Sequence, residues 1–339
     1  MSVRSWVPRW WAGEGGAVGR VLDVALLPAG GAFRAISGAR NAAFDHGVLA
    51  VERAPVPVIS IGNLAVGGAG KTPLSAWTAA RLRGWRWRPA IALRGYGGDE
   101  ILLHRELNPD VPVFAAPRRI DAAREAAAAG CDVVVLDDGF QHRALARDLD
   151  IVLVAVEGWR ARPRLLPRGP WREGFGALRR ADVVVLTRKS APLARADEVA
   201  AALARIHPHL PIAVCHLAPG ALAPLHGNGA RPPVYWLSGR RVVAVAALAT
   251  PGPFVDHLAA AGADVEAVLF GDHHEFTEAE ARETVRRANG RVLVMTHKDA
   301  VKLRPLLSPN VEAFVLEQTV KFDRGGDALD EALRRAVGG

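Results

Sequence analysis

Short apolar runs recur along the chain from residue 56 onward, at 56–62, 89–94, 111–116, 131–136, 150–156, 181–187 and 211–217, with helical stretches between several of them. They are rich in Val and Ile and apolar at successive positions. Strands of that kind are covered on both faces, so the pattern predicts an α/β fold: a mostly parallel sheet with helices on both faces. A stretch rich in Pro and Gly, 218–233, reads as a linker, and beyond it the alternation resumes on a smaller scale near 241–248, 264–270, 291–296 and 311–317. Thr277 with Glu280 makes a capping box for the helix running to Arg287, and Gly290 ends it. The predicted layout is an N-terminal segment 1–50, a main domain 51–217, the linker 218–233 and a smaller α/β domain 234–339.

The first fifty residues differ in kind. Trp6, Trp10 and Trp11 precede an apolar, glycine-rich stretch from Ala17 to Gly38, interrupted by Arg20, Asp23 and Arg34. A spanning helix needs about 20 predominantly apolar residues, and these charges with Pro28, Gly30 and Gly31 argue against one. A cleavable signal peptide is a poor match, because a basic start, an apolar centre and a small-residue cleavage site do not follow in order. A helix lying in the membrane interface fits better, with its tryptophans at the headgroup level and its arginines on anionic lipid. A helix packed on the protein's own surface is the competing reading.

With 339 residues and 50% hydrophobic content, the chain can bury a large core and divide into two domains. Cys131 and Cys215 each lie in apolar runs, which points to free thiols in a reducing compartment. The net charge of +8 is spread along the whole chain. Nucleic-acid readers gather such charge into a stripe with aromatics between, so an anionic substrate or a membrane surface is the better partner. A monomer is the expected state.

Residues 58 to 73 read Val-Ile-Ser-Ile-Gly-Asn-Leu-Ala-Val-Gly-Gly-Ala-Gly-Lys-Thr-Pro, an apolar strand, a glycine loop, then the start of a helix. That is the layout of a phosphate-binding loop, and the sheet is therefore read as P-loop NTPase-like. A nucleotide's phosphates need several inward backbone N–H donors, which Val66, Gly67, Gly68, Ala69 and Gly70 can present. Lys71 adds a point charge, and Thr72 a hydroxyl for Mg²⁺. Pro73 is tolerated in a first helical turn. The strict pattern wants glycine at position 65, where this chain has Ala65. A dinucleotide fingerprint is excluded by Pro73 at its third glycine position.

A second constellation is Cys131-Asp-Val-Val-Val-Leu-Asp-Asp-Gly-Phe-Gln-His142, a buried strand ending in two carboxylates. An acidic residue at the end of a neighbouring strand holds Mg²⁺ opposite the loop hydroxyl in phosphate-loop enzymes, and Asp137 and Asp138 suit that place. Adjacent residues on a strand point to opposite sides, so one can hold metal while the other orients the loop.

Six segments in fixed order, the phosphate loop, Arg94-Gly-Tyr-Gly97, Asp137-Asp-Gly-Phe-Gln-His142, Leu166-Pro-Arg-Gly-Pro-Trp-Arg-Glu173, Phe270-Gly-Asp-His-His274 and Lys298-Asp-Ala-Val-Lys-Leu303, resemble the tetraacyldisaccharide 4′-kinase family. The likeness covers roughly residues 50 to 305, and the N-terminus is similar to that family's membrane-associated start. The resemblance implies a kinase on the cytoplasmic face of the bacterial inner membrane. It would move ATP's γ-phosphoryl group to the 4′-hydroxyl of a tetraacyl glucosamine disaccharide 1-phosphate, giving lipid IVA. It also implies that Lys71 and Thr72 hold phosphates and Mg²⁺, that Asp138, Asp137 and Glu173 surround the metal, and that Asp99 is the catalytic carboxylate with His273 as its partner. This chain departs from the family where Gly98-Asp99-Glu100 directly follows Gly97 without the usual longer stretch, and at His297 and Gly271.

His142 is expected to line the cleft near substrate or metal. Cations for the acceptor's phosphate could come from Arg118 and Arg119 or from Arg160, Arg162, Arg164 and Arg168. His273 and His274 lack a third group at metal-ligand spacing, so no zinc is expected. A nucleotide-switch GTPase or metal-insertion chaperone is the main rival. Thr187-Arg-Lys-Ser190 lacks that class's Asp, however, and Thr296-His-Lys-Asp299 has its Lys one place late.

Overall fold

The computed structural model describes residues 3–95, 98–272 and 274–338. The chain forms two compact units, one of Trp6–His216 with Val320–Gly339 and a smaller one of Leu217–Thr319 with the residues up to Ser5.

In the larger unit the apolar runs become β1 (Val58–Asn63), β2 (Pro89–Leu93), β3 (Val113–Ala115), β4 (Val133–Asp137), β5 (Leu149–Ala155), β6 (Val183–Arg188) and the first part of β7 (Ile212–Pro224). Their spatial order is β3-β2-β4-β1-β5-β6-β7, and every neighbouring pair is parallel. All residues of β1, β2 and β4 are buried, which is why these strands read as unbroken apolar runs. Helix α4 (Lys71–Gly84) packs on β1, β2 and β4. Ala90, Ala92, Val134 and Leu136 meet Ile120, Ala123 and Ala126 of α6 (Arg119–Ala128), where alanines let helix and sheet approach closely. Val152, Val154, Val184 and Leu186 meet Ala196, Val199 and Leu203 of α7 (Leu193–Ile206).

The smaller unit holds the rest of β7, then β11 (Ala313–Arg324) as far as Thr319, β10 (Val292–Thr296), β8 (Arg241–Ala246) and β9 (Asp264–Leu269), in that spatial order. Helices α8 (Gly252–Ala260), α9 (Glu278–Ala288) and α10 (His297–Leu303) connect them. The predicted capping box is present in both directions at Thr277 and Glu280, and two left-handed residues, Asn289 and Gly290, end α9. Asp299 is nearly fully buried and its N–H bonds the Thr296 hydroxyl, so the late Lys-Asp pair is a helix start and not a base reader.

Two boundaries differ from the predicted ones. The 218–233 stretch is not a linker throughout: β7 runs to Pro224, and Ala221 bridges Pro233. Residues 320–339 belong with the larger unit and not with a 234–339 domain, because α11 (Gly326–Ala336) packs on β1 and β5. Arg188 holds Asp323 at 2.7 and 2.8 Å, Arg81 pairs with Asp330, and Trp77 lies 5.0 Å from Phe322. Gly325, at φ +70°, stands where a Cβ would lie 2.8 Å from Ala213 Cα, so glycine alone permits the chain to turn here.

The N-terminal segment is α1 (Val3–Arg9), a π-turn at Trp10–Glu14, α2 (Gly16–Ala25) and α3 (Leu27–Asp45). No single described helix is long and apolar enough to cross a membrane; α2 and α3 pass that test only together, across a 52° bend. The tryptophans are not displayed as predicted. Trp10 is buried against Gly19, whose carbonyl accepts from its Nε1 at 3.0 Å, and Trp11 Nε1 donates to the Pro167 carbonyl at 3.1 Å. The exposed apolar side chains are instead Val18, Val21, Val24, Leu27 and Ile36. Arg160 and Arg164, predicted as phosphate cations, bind the Ala12 carbonyl and Asp23 and so fix this segment to the unit.

Gly62 on β1 lies so close to the next strand's loop that a Cβ would fall 2.5 Å from Phe140 Cβ and 2.8 Å from Phe140 N. Gly62→Ala is expected to cost about 1–3 kcal/mol, the usual range for overpacking. Urea unfolding should show a lower midpoint with unchanged m; an unshifted midpoint would disprove the close approach.

Candidate active site

Strand β1 lies between β4 and β5, where the connections part to the two sides of the sheet, and open α/β sheets leave a ligand crevice beyond the strand ends at such a point. The loop after β1 occupies it. Gly67 and Gly70 are left-handed, at φ +119° and +85°, and Gly70 caps α4, whose first N–H groups are thereby available to an anion. Val66, Gly67 and Gly68 are exposed, Ala69 is buried, and Pro73 falls in the first turn of α4. Ala65 is accommodated because it bridges Trp171 while the Val66 N–H donates to the Pro170 carbonyl at 2.7 Å. No positive φ is required there.

Two side chains from the end of β6 brace this loop. Thr187 Oγ1 donates to the Ala69 carbonyl and Lys189 Nζ to the Gly68 carbonyl, both at 2.9 Å. Burial pushes the Lys189 ammonium below its usual range, against the pull of Glu157. Glu157 in turn accepts from the N–H groups of Lys189, Ser190 and Ala191. Sequence reasoning missed Lys189, since Thr187-Arg-Lys-Ser190 was weighed only as a defective guanine motif.

The pairing register sets Asp137 beside Ile61 of β1, which delivers its carboxylate to the loop. Thr72 Oγ1 donates to Asp137 Oδ2 at 3.2 Å, and His104 Nε2 lies 2.9 Å from the same oxygen. Burial pushes Asp137 up, but the His104 hydrogen bond and charge, with Lys71 and Thr72, outweigh it and hold the carboxyl below the usual range. His104 is fully buried on α5 (Gly98–Leu107); no motif marks it, and its one sequence signal is its place four residues after Glu100 on a helix.

Asp138 leaves the strand in a left-handed conformation, φ +53°, that Asp tolerates better than most residues. Its carboxylate meets Arg172 Nη1 at 3.0 Å to both oxygens and Lys71 Nζ at 3.5 Å. The Lys71 ammonium also donates to Asn63 Oδ1 at 3.3 Å. The two adjacent carboxylates therefore differ in their hydrogen-bond partners, because Asp138 turns off the strand that Asp137 ends, while Lys71 acts on both. Asp99 lies in the first turn of α5 with Glu100. Burial pushes Glu100 above the usual carboxylate range, with Asp137, Asp99 and Asp138 adding to it, so all four acids share one neighbourhood.

Glu173 is not among them. Arg180 holds its two oxygens at 3.0 and 2.9 Å, with Gln141 and Asn41 donating as well. A carboxylate so engaged anchors α3 and the Asp138–His142 loop. Arg118 pairs with Glu52, and Arg119 is buried with its Nη2 on the Asp138 carbonyl at 3.1 Å. His142 is beside it, and burial together with Arg119, Arg147, Arg40 and Arg94 pushes its pKa down to about 4, so the imidazole is neutral. His273 lies outside the described residues. His274 is 3.0 Å from Glu280 and stacks on Phe270, a structural role.

Among the described residues no three His, Cys, Asp or Glu side chains cluster as a metal cage. Mg²⁺ asks for less: one or two carboxylates, with phosphate and water oxygens completing the octahedron. Thr72 and Asp137 fit that demand, and Asp137 Oδ1 is buried without a hydrogen-bond partner among the described residues.

A sequence model of tetraacyldisaccharide-1-P 4′-kinase matches residues 22–338. A tetraacyldisaccharide 4′-kinase of Anaeromyxobacter dehalogenans is 41% identical over 97% of this chain and 94% of its own length. One from Aromatoleum aromaticum is 37% identical over 93% of this chain and 94% of its own. The crystal structure of LpxK from Aquifex aeolicus in complex with ATP is similar with a TM-score of 0.72 at 30% identity, covering 93% of this chain and 99% of that one.

His104→Phe keeps the ring and removes the hydrogen bond that most strongly lowers Asp137. A carboxylate with a depressed pKa stays charged until the pH falls through that pKa. Raising it makes Asp137 protonate at higher pH. The acid limb of kcat/KM should move to higher pH and the Mg²⁺ requirement should rise. An unmoved acid limb would separate His104 from the site.

Proposed function

The chain belongs to the tetraacyldisaccharide-1-P 4′-kinase family, and on that footing we propose that it moves the γ-phosphoryl group of ATP to the 4′-hydroxyl of a tetraacyl glucosamine disaccharide 1-phosphate, giving lipid IVA. The observation that carries this reading is the convergence of Lys71, Thr72 and Asp137 at the start of α4, with Thr72 Oγ1 3.2 Å from Asp137 Oδ2. Phosphoryl transfer asks little covalent chemistry of a protein; it asks for positioning and neutralised charge. Bound Mg²⁺ supplies charge for the β- and γ-phosphate oxygens. Thr72 and Asp137 would hold it, the N–H groups of Gly67, Gly68 and Gly70 cradle the phosphates, since those of Val66 and Ala69 already donate to the Pro170 and Gly67 carbonyls, and Lys71 offsets the charge that moves with the γ-phosphoryl group. Asp138, shared between Lys71 and Arg172, sets the lysine's direction. Asp99 orients the attacking hydroxyl and takes its proton, with His273 as its partner.

The acceptor carries four acyl chains, so the enzyme works at a membrane surface, the cytoplasmic face of the inner membrane. Support for the docking element comes from α2 and α3, which expose Val18, Val21, Val24, Leu27 and Ile36 while ion pairs hold their other side to the larger unit. Exposed apolar groups on a helix fixed in this way suit the acyl boundary of a bilayer.

Lys71→Ala is expected to lower turnover at least ~10²-fold while the protein stays folded, by analogy with the loss of one preorganised charge at a transition state. ATP-dependent labelling of the disaccharide 1-phosphate checks it, and near-normal turnover at saturating Mg·ATP would remove Lys71 from the chemistry. A Val18→Ser, Val21→Ser, Val24→Ser variant changes exposed groups only. Vesicle sedimentation should weaken about tenfold or more, as the loss of roughly three buried methyl-bearing groups requires. The KM for lipid should rise while the KM for ATP holds. Undiminished vesicle binding would place the membrane contact elsewhere.

A further inference from the structure

Helix α10 carries the Lys298-Asp-Ala-Val-Lys-Leu303 segment, which the site described above leaves without a task, although its charged side chains are all engaged. Lys298 and Lys302 are four residues apart and so lie on one face, a turn from each other. Both reach the loop that follows β9. Lys298 Nζ donates to Asp272 Oδ1 at 3.0 Å, and Lys302 Nζ donates to the His274 carbonyl at 3.2 Å and to Glu275 Oε1 at 2.7 Å. Position 273 lies outside the described residues, but each of its two neighbours is held by a lysine of the same helix. Lys302 is the more deeply set. Its side chain is 9% exposed, and a buried ammonium is costly unless acceptors meet it, which the His274 carbonyl and Glu275 do. An ion pair open to solvent contributes little stability, so the partly exposed Lys298–Asp272 pair acts chiefly on geometry.

The helix that carries both lysines is itself fixed. Asp299, between them, is buried; it accepts from the Thr296 hydroxyl at 2.6 Å and from the Ala247 N–H at 3.1 Å, which ties the start of α10 to the end of β8. Ala300 and Leu303 sit in the core of the smaller unit. The loop starts from the same footing, since the Phe270 N–H donates to the Ala246 carbonyl at 2.9 Å. Beyond it the rings of Phe270, His274 and Phe276 pack together with centroids 4.8 to 5.2 Å apart.

We propose that Lys298 and Lys302 are positioning residues for the transfer step: from one anchored helix they grip the chain on both sides of His273 and hold that imidazole to the direction its task requires. The inference rests on the kinase reading above, which gives His273 its task as the partner of Asp99, and adds the residues that keep it aimed. A displacement of about 1 Å at a reacting group can cost roughly 10²-fold in rate, so a loop that carries such a partner has to be held from both ends. Lysine suits the grip, because its long stem delivers one compact charge to a single carboxylate oxygen or a single carbonyl.

Wild-type protein, Lys298→Met, Lys298→Arg, Asp272→Asn, His273→Ala and the double variant Lys298→Met with His273→Ala are assayed with ATP on the tetraacyl disaccharide 1-phosphate, and thermal midpoints check the fold of each. Lys298→Met should lower kcat at least ~10-fold while the KM values for ATP and lipid hold. Asp272→Asn should do the same from the other end of the pair, and Lys298→Arg, which keeps charge and reach, should recover most of the loss. In the His273→Ala background Lys298→Met should cost nothing further, because residues that act as one unit are not additive. Losses that multiply, or a loss confined to KM, overturn the proposal. So does a His273→Ala protein with undiminished kcat, which leaves the kinase reading standing. Hydrogen exchange reads the grip without turnover: peptides spanning 270–276 should exchange several-fold faster in Lys298→Met and in Lys302→Met, with those of β8 unchanged. Unchanged exchange at 270–276 overturns it. A wild type with no turnover fails the kinase reading, and the exchange result still decides the grip.

Discussion

A single buried carboxylate sets the terms for the larger unit. Asp137 ends a strand that is buried along its whole length, and a charge in that position survives only with donors on hand. His104 and Thr72 provide them, one from α5 and one from the helix that follows the phosphate loop. The requirement therefore ties three elements together. β4 has to pair with β1 in a register that places Asp137 by the loop, α4 has to begin at Lys71, and α5 has to bury a histidine. Remove the Asp137 carboxylate and the Thr72 hydroxyl loses the acceptor that aims it.

The next residue obeys a different constraint. Asp138 turns left-handed, which breaks the strand and starts the loop that Gly139 and Phe140 carry past β1. Gly139 can pass only because it has no side chain; a Cβ there would stand 2.6 Å from Ser60 Oγ. The loop's carbonyls then face outward and must find donors. Arginines from α3, α6 and the loop itself provide them, which is how the N-terminal segment becomes part of the site's wall and not a detachable tail.

What could be read from the sequence follows the range of each physical signal. Eleven apolar runs predicted the eleven strands of the described residues, and in β1, β2 and β4 the mark is burial on both faces, which no neighbour can erase. The phosphate loop was legible for the same reason: its glycines, lysine and threonine act within one stretch of chain. The errors lie where a residue's role is decided by something distant. Residues 320–339 look like the end of the smaller domain until Arg188 and Arg81 reach them from the larger one. Trp10 is apolar near an apolar stretch, but Gly15 and Gly19 open a slot for its ring, and the indole turns inward. His104 carries no local mark at all.

The use of cations follows the same logic of geometry. Lysine is rare in this chain, five among 43 basic residues, and two of the five serve the phosphate loop: Lys71 closes it and reaches toward Asp138, and Lys189 binds the Gly68 carbonyl. A compact ammonium suits a place where one charge must approach a phosphate or a single carbonyl from within a tight loop. Arginine suits the wall, where one side chain has to satisfy a carbonyl and still present donors outward. Arg40 and Arg119 are in that position, each bound to one carbonyl by one nitrogen. A lysine at either place could hold the loop or meet an anion, but its single point of charge could not be directed at both with the same fixed geometry.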